Sequence, residues 1–152
     1  MMVKNNERFD LQVAGIAIGH ETKLMWCRFL HGQEWQNGKV VGQAIKVNWE
    51  VAFEVAKTFN QNGGYAGYTD WRLPTIDELV TLVDRVKGNF GNYIDSDVFP
   101  KNNGGWAWSS SPRAYDSSNA WVVNFSNGND GYDSRSSSYV VRLVRNASLT
   151  NF

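Results

Sequence analysis

The side chains able to act as nucleophiles, metal ligands or acid–base groups are few in this sequence, and they do not converge. Cys27 and His31 have the spacing of two metal ligands. A zinc site needs about four ligands, however, and neither a second cysteine nor a paired histidine supplies the rest. A buried thiol and a surface imidazole account for both residues. Asp95 and Asp97 could pair, as could Asp77 and Glu78. The latter two fall in the first turn of a predicted helix, where the helix dipole favours carboxylates. Asp130-Gly131 invites comparison with a calcium loop, but Ser126 and Gly128 occupy the preceding ligand positions and Ser137 that of the closing carboxylate. No glycine-rich phosphate loop, H-E-x-x-H helix or nucleophile elbow is present. The sequence therefore predicts no catalytic residues, no bound metal and no cofactor.

The elements that would position any site are better marked. Phe9–Ile18 alternates in part, and Lys23–Phe29 is a short apolar and aromatic run, so the N-terminal third reads as short strands and turns. Asn37-Gly38, between Trp35 and Val40-Val41, has the composition of a tight hairpin turn. A first helix is expected from the cap Asn48, with Ala52, Val55, Ala56 and Phe59 on its apolar face and a stop at Asn62-Gly63-Gly64. A second begins at the Thr75–Glu78 capping box behind Pro74. Its buried stripe is Ile76, Leu79, Val80 and Val83, and Gly88 lies beyond its end. Ala120–Phe125 and Tyr139–Arg145 read as strands, with a turn at Asn127-Gly128. Between them Ser126–Ser138 is polar throughout and reads as an ordered, exposed hairpin or loop.

Composition narrows the function classes. The chain has 152 residues, enough for one domain with a real core, and 42% of them are hydrophobic. The formal net charge is zero and Lys and Arg form no run, which argues against nucleic acid or an anionic membrane as partner. No run approaches a membrane span. With a single cysteine no intrachain disulfide forms. Met1–Asp10 is polar without an apolar segment, so no signal peptide is visible, and a cytoplasmic protein or one displayed on a virus particle is expected. On that ground Asn124-Phe125-Ser126 and Asn146-Ala147-Ser148 read as chance glycosylation matches. Seven Trp, six Tyr and eight Phe supply both core volume and interface anchors.

The segment Gly67-Tyr-Thr-Asp-Trp-Arg-Leu-Pro-Thr-Ile-Asp-Glu-Leu-Val-Thr-Leu-Val-Asp84 resembles the D-W-R-L-P-T-x-x-E-L signature of the DUF1566, or Lcl C-terminal domain, family. Lys23–Trp26 looks like that family's T-G-L-M-W strand and Trp49–Ala56 like its W-x-x-A-x-x-x-A helix. Trp108–Ser111 and Val141–Arg145 look like its W-S-S and V-R-x-V-R elements. The resemblance implies an α+β, C-type-lectin-like fold of the formylglycine-generating-enzyme branch: two helices flanking a small twisted antiparallel sheet, with the chain ends side by side. The cysteine that family members often carry near Val41 is absent. The branch's oxidase chemistry uses a pair of cysteines, which Cys27 alone does not provide.

Trp108–Arg145 also resembles the variable region of proteins diversified by retroelements, in which adenines of Asn codons are rewritten. The frame is kept in Ser111-Pro112, Ala120-Trp121, Val123-Asn124-Phe125, Asn127-Gly128-Asn129 and Val141–Arg145. Between these lie Arg113, Tyr115, Asp116, Ser118, Val122, Ser126, Gly131, Tyr132, Asp133, Ser134, Ser136, Ser137, Ser138 and Tyr139. Each is reachable from an Asn codon by changing adenines at its first two bases. Tyr, Ser, Gly and Asp are also the residues of adaptable recognition surfaces. The expectation is a binding protein without chemistry, whose ligand is a protein or other macromolecule met by those residues; homo-oligomerisation stays open. Under this reading Trp106, Trp108 and Trp121 pack beneath the surface, and Arg72, Arg142 and Arg145 are hydrogen-bond hubs. The alternative is a fixed-ligand adhesin or carbohydrate-binding module. It would bind without calcium, because no E-P-N or Q-P-D triplet occurs.

Overall fold

A computed structural model describes residues 4–12 and 14–147. Met1–Val3 of the polar N-terminal segment and Ser148 of the second glycosylation match lie outside them. The fold is α+β, with small antiparallel sheets and few helices. Its main sheet has the order β1-β2-β3-β4-β10, formed by Lys4–Asn5, Phe9–Gln12, Ile16–Gly19, Leu24–Cys27 and Val144–Asn146. Strands β5 (Gln33–Gln36) and β6 (Lys39–Gly42) make a separate hairpin. Its turn residues Asn37 and Gly38 both take positive φ, 52° and 78°, as a two-residue turn of this kind requires. Strands β7 (Trp106–Pro112), β8 (Asn119–Asn124) and β9 (Asn129–Ser134) form a second, three-stranded sheet.

Period-two alternation sorts the side chains of the main sheet into two cores. Ala17, Leu24 and Trp26 join one with Leu79 and Phe99; Ile16, Met25 and Cys27 join the other with Ala52 and Trp71. The sheet is thus buried on both sides, with one helix on each. Helix α1 (Trp49–Gln61) is capped by Asn48, whose side chain accepts from the Val51 amide, and buries Ala52 and Ala56. Val55 and Phe59 are half-buried beside them. Helix α2 (Ile76–Val80) opens with the expected capping box between Thr75 and Glu78.

Two expectations need correction here. The second helix is only five residues long and does not reach Val83. After Val80 the backbone bonds run from Thr81 to Glu78, Leu82 to Leu79 and Val83 to Val80, an i to i−3 pattern. That tighter turn rotates the chain faster than an α-helix. Leu82 goes into the core and Val80 is left 40% exposed, outside the buried stripe. Likewise, Tyr139–Arg145 is regular strand only from Val144. Before that the extended chain threads between elements: Tyr139 bridges Val47, Val140 bridges Ala107, and the carbonyls of Val141 and Leu143 accept from His31 and Cys27. Frequent changes of partner prevent a continuous ladder.

Candidate functional site

The three-stranded sheet carries the candidate residues, and its register divides them between two faces. Residues directly opposite in an antiparallel pair share a face. Trp121 lies opposite Tyr132, and Val123 opposite Ala107 and Asp130, on the α2 side. Ala120 lies opposite Asp133, and Val122 opposite Gly131 and Trp108, on the α1 side. On the α2 side the Trp121 and Tyr132 rings meet edge to face at 5.6 Å, and the Arg113 guanidinium lies 3.5 Å over the Tyr132 ring. On the α1 side Tyr139 stacks on Trp106 at 5.2 Å and donates its hydroxyl to the Asp133 carboxylate. Burial and that acceptor both push the Tyr139 phenol pKa upward. A side chain at Gly131 would meet open space.

The loop from Arg113 to Ser118 is ordered by one carboxylate. Asp116 accepts from the Ser118 hydroxyl and amide, the Asn119 side chain and Arg113. The Ser118 hydroxyl leads these in holding its carboxyl below the usual range. At the tip Tyr115 is fully exposed with φ of 62°, the left-handed region that a tyrosine rarely adopts. Ser134, Ser136, Ser137 and Ser138 form the opposite rim. The Ser134 and Ser136 hydroxyls lie 2.8 Å apart, and Ser137 donates its amide to the Ser134 carbonyl. Arg135 anchors this rim: its guanidinium lies 4.3 Å over the Trp49 ring and its carbonyl accepts from the Trp49 amide.

Two candidates stand apart. Val122 is 1% exposed and belongs to the α1-side core beside Trp108 and Ala120. Its position at mid-strand, opposite Trp108 within that core, removes it from any ligand surface. Ser126 sits beyond the far end of β8, about 17 Å of strand from Asn119. There it donates its hydroxyl and amide to Asn124, beside a turn whose Asn127 and Gly128 carbonyls accept from Arg85. Among the tryptophans, Trp108 is fully buried and Trp121 is half-buried. Trp106 is 38% exposed, so it contributes to the surface rather than lying beneath it.

The scaffold is held by three arginines, of which Arg142 and Arg145 are buried. Arg145 makes two bonds to Asp70, at 2.6 and 3.2 Å, and lies 3.7 Å over the Tyr68 ring. The Arg145 bond holds the Asp70 carboxyl below its ordinary value. Arg72 grips Glu78 at 2.7 and 2.9 Å, so the residue that caps α2 also ties it to the main sheet. Burial pushes the Glu78 carboxyl up, but Arg72 and the Thr75 amide outweigh it, and the net shift is downward. Arg142 is buried, donating to the Cys27 carbonyl and the Asn102 side chain and packing over Phe99 at 4.7 Å. All three arginines are the hubs expected of them.

A feature the sequence did not reveal is the irregularity in β7. The strand carries two more residues between Trp108 and Pro112 than β8 carries opposite, between Val122 and Ala120. The extra length turns Ser109–Ser111 into a clasp. The Ser109 carbonyl accepts from the Trp49 indole, the Ser110 amide donates to Pro74, and the Ser111 hydroxyl accepts from the Ile76 amide. Both helices are thereby fixed to the strand that leads into the candidate surface. The run of small hydroxyl residues after Trp108 was its only trace in the sequence.

The catalytic candidates resolve into local structure. Cys27 is buried, with its thiol pKa pushed up, and Asp95 accepts from the Asp97 amide and the Asn6 side chain. Among the described residues no three His, Cys, Asp or Glu side chains are grouped to hold a metal. Residues 15–145 match the profile of the Lcl C-terminal domain family. No curated protein matches the chain.

Proposed function

The chain belongs to the Lcl C-terminal domain family, and from that premise we propose that it is a recognition protein without catalytic activity. We assign it a C-type-lectin-like fold whose C-terminal surface is diversified by a retroelement. The observation that carries this reading is the contrast in burial. Every codon-accessible candidate except Val122 is exposed or half-buried, whereas Trp108 and the apolar frame residues Ala120, Val123, Phe125, Val141 and Leu143 are buried; the polar frame residues Asn127 and Asn129 are exposed. A surface under diversification must change without disturbing the core, and this distribution permits that. The exposed set also joins rigid aromatic anchors to small hydrogen-bonding groups, the chemistry of adaptable interfaces.

The test is genetic. The DNA flanking the gene is expected to hold a near-copy of the codons for residues 108–145, with adenines at the mismatched positions, beside a reverse transcriptase gene. Absence of both would overturn the retroelement reading. A second reading, a fixed-ligand carbohydrate module, draws on the exposed Trp106–Tyr139 stack, since Trp106 lies outside the diversifiable positions. Glycan-array binding unaffected by a chelator and abolished by Trp106→Ala would favour it.

A further inference from the structure

We infer that the cleft between α1 and the Phe29–Gln33 segment is a second binding site, for a free small molecule consisting of one aromatic ring with a hydrogen-bonding substituent. An inner lobe of about 150 Å³ lies against Cys27, walled by Phe29, Leu30, Val55, Phe59 and Leu143. It meets an outer groove of about 540 Å³ at His31, Val55 and Phe59, which line both. The groove runs along α1, past Glu54, Thr58 and Asn62.

The size and chemistry of the lobe select the occupant. A water held there would need two to four polar partners. Of the polar side chains in the wall, His31 stands at the mouth and Gln33 is already committed: its carbonyl accepts from the Leu30 amide and its amide donates to the Lys101 carbonyl. The Cys27 thiol is neutral and a weak partner. The lobe opens onto the groove, and water standing against such apolar walls is poorly bonded, so a ring of benzene size displaces it favourably. The walls regain the dispersion contacts that a void forfeits when a ring fills it.

The mouth sets the substituent. Burial lowers the His31 pKa, so at neutral pH the imidazole is uncharged and offers one donor and one acceptor. It makes no side-chain hydrogen bond to any described residue, although its backbone amide is held by Val141. A ring carrying a hydroxyl places the ring in the lobe and the hydroxyl at His31. Phenol is the simplest such molecule. The cleft shares no residue with the candidate recognition surface, so either proposal stands if the other fails.

Titration of the isotopically labelled full chain with phenol, followed by NMR, tests the site. Saturable shifts are expected at His31, Val55, Phe59 and Leu143, with a dissociation constant on the order of 1 mM, as suits so few atoms. Val55→Phe, which puts a ring into the lobe from the protein itself, should weaken phenol at least about tenfold. If that variant does not fold, His31→Ala carries the test. It should weaken phenol about fivefold while leaving toluene, which lacks the hydroxyl, unchanged. Shifts that rise linearly without saturating, or that spread over the β7–β9 sheet instead, would overturn the proposal. So would an affinity for phenol that His31→Ala leaves intact.

Discussion

The segment Asp70–Glu78 and the segment Arg113–Tyr139 both contain arginines, carboxylates and aromatic rings, yet they use them in opposite ways. In the first, Asp70 reaches Arg145, 75 residues on, and Arg72, which pairs with Glu78, is held to the main sheet by its backbone bridge to Val144, so the ion pairs tie elements distant in sequence to one another. In the second, Asp116 bonds Arg113, Ser118 and Asn119, and Asp133 bonds Tyr139, all within a few residues. Long-range bonds define a fold and short-range bonds define only a loop. Replacing residues whose bonds are all of the second kind therefore leaves the rest of the molecule intact, whereas Arg135 and Tyr139, which reach Trp49 and Val47, belong to the first kind.

The largest expected effect lies at a hub. Arg142→Ala should cost about 3–5 kcal/mol in chemical denaturation, because it leaves the Cys27 carbonyl and Asn102 buried without their donor and opens a void over Phe99. A loss below about 1 kcal/mol would break the comparison. Next comes Val122, which lies inside the variable segment but belongs to the core. Val122→Ser should cost about 2–3 kcal/mol, from lost apolar burial and a hydroxyl without a partner.

Glu78→Gln keeps a capping acceptor but loses the Arg72 ion pair, for about 1–2 kcal/mol at neutral pH. The folded Glu78 pKa lies below its ordinary value of 4.5. Its contribution is therefore complete above about pH 4.5 and is lost as the pH falls through the lower folded value. Melting followed across pH 3–6 should show a shallower acid limb in the Gln variant. A smaller effect, of opposite sign, is expected at the loop tip. Tyr115→Asn should raise stability by about 0.5–1 kcal/mol, because asparagine tolerates the left-handed region better. The smallest change belongs to Ser136→Tyr, within about 0.5 kcal/mol, and Tyr132→Ser should cost about 1 kcal/mol through its lost ring contacts with Trp121 and Arg113. Losses near 2 kcal/mol in both would show that this surface supports the fold.

Much of the scaffold was legible in the sequence because its signals are local. Asn48, Asn37-Gly38 and the Thr75–Glu78 box each act within four residues, and each forms as expected. What escaped depends on partners far along the chain. The early end of α2 rests on a switch to tighter turns at Thr81, whose carbonyl is taken by Arg8. Trp106 is drawn to the surface by its stack on Tyr139. The exposed hairpin read for Ser126–Ser138 did form, with polar Asn129–Ser134 held as its second strand by a complete ladder on β8. Val122 was grouped with the surface by codon arithmetic, which carries no information about which face of a strand is covered.

The closing of the main sheet has a consequence for how the nascent chain reaches this structure. Strand β4, buried throughout, gains its second neighbour only from β10, with Arg145 set opposite Met25, 120 residues earlier. At roughly 5–20 residues per second, the ribosome leaves that edge of Leu24–Cys27 without its final strand for about ten seconds. Contacts so distant in sequence also slow folding once synthesis ends. During that interval an apolar strand with an open edge is available to neighbouring chains, so the yield of folded protein depends on how quickly the last strand arrives.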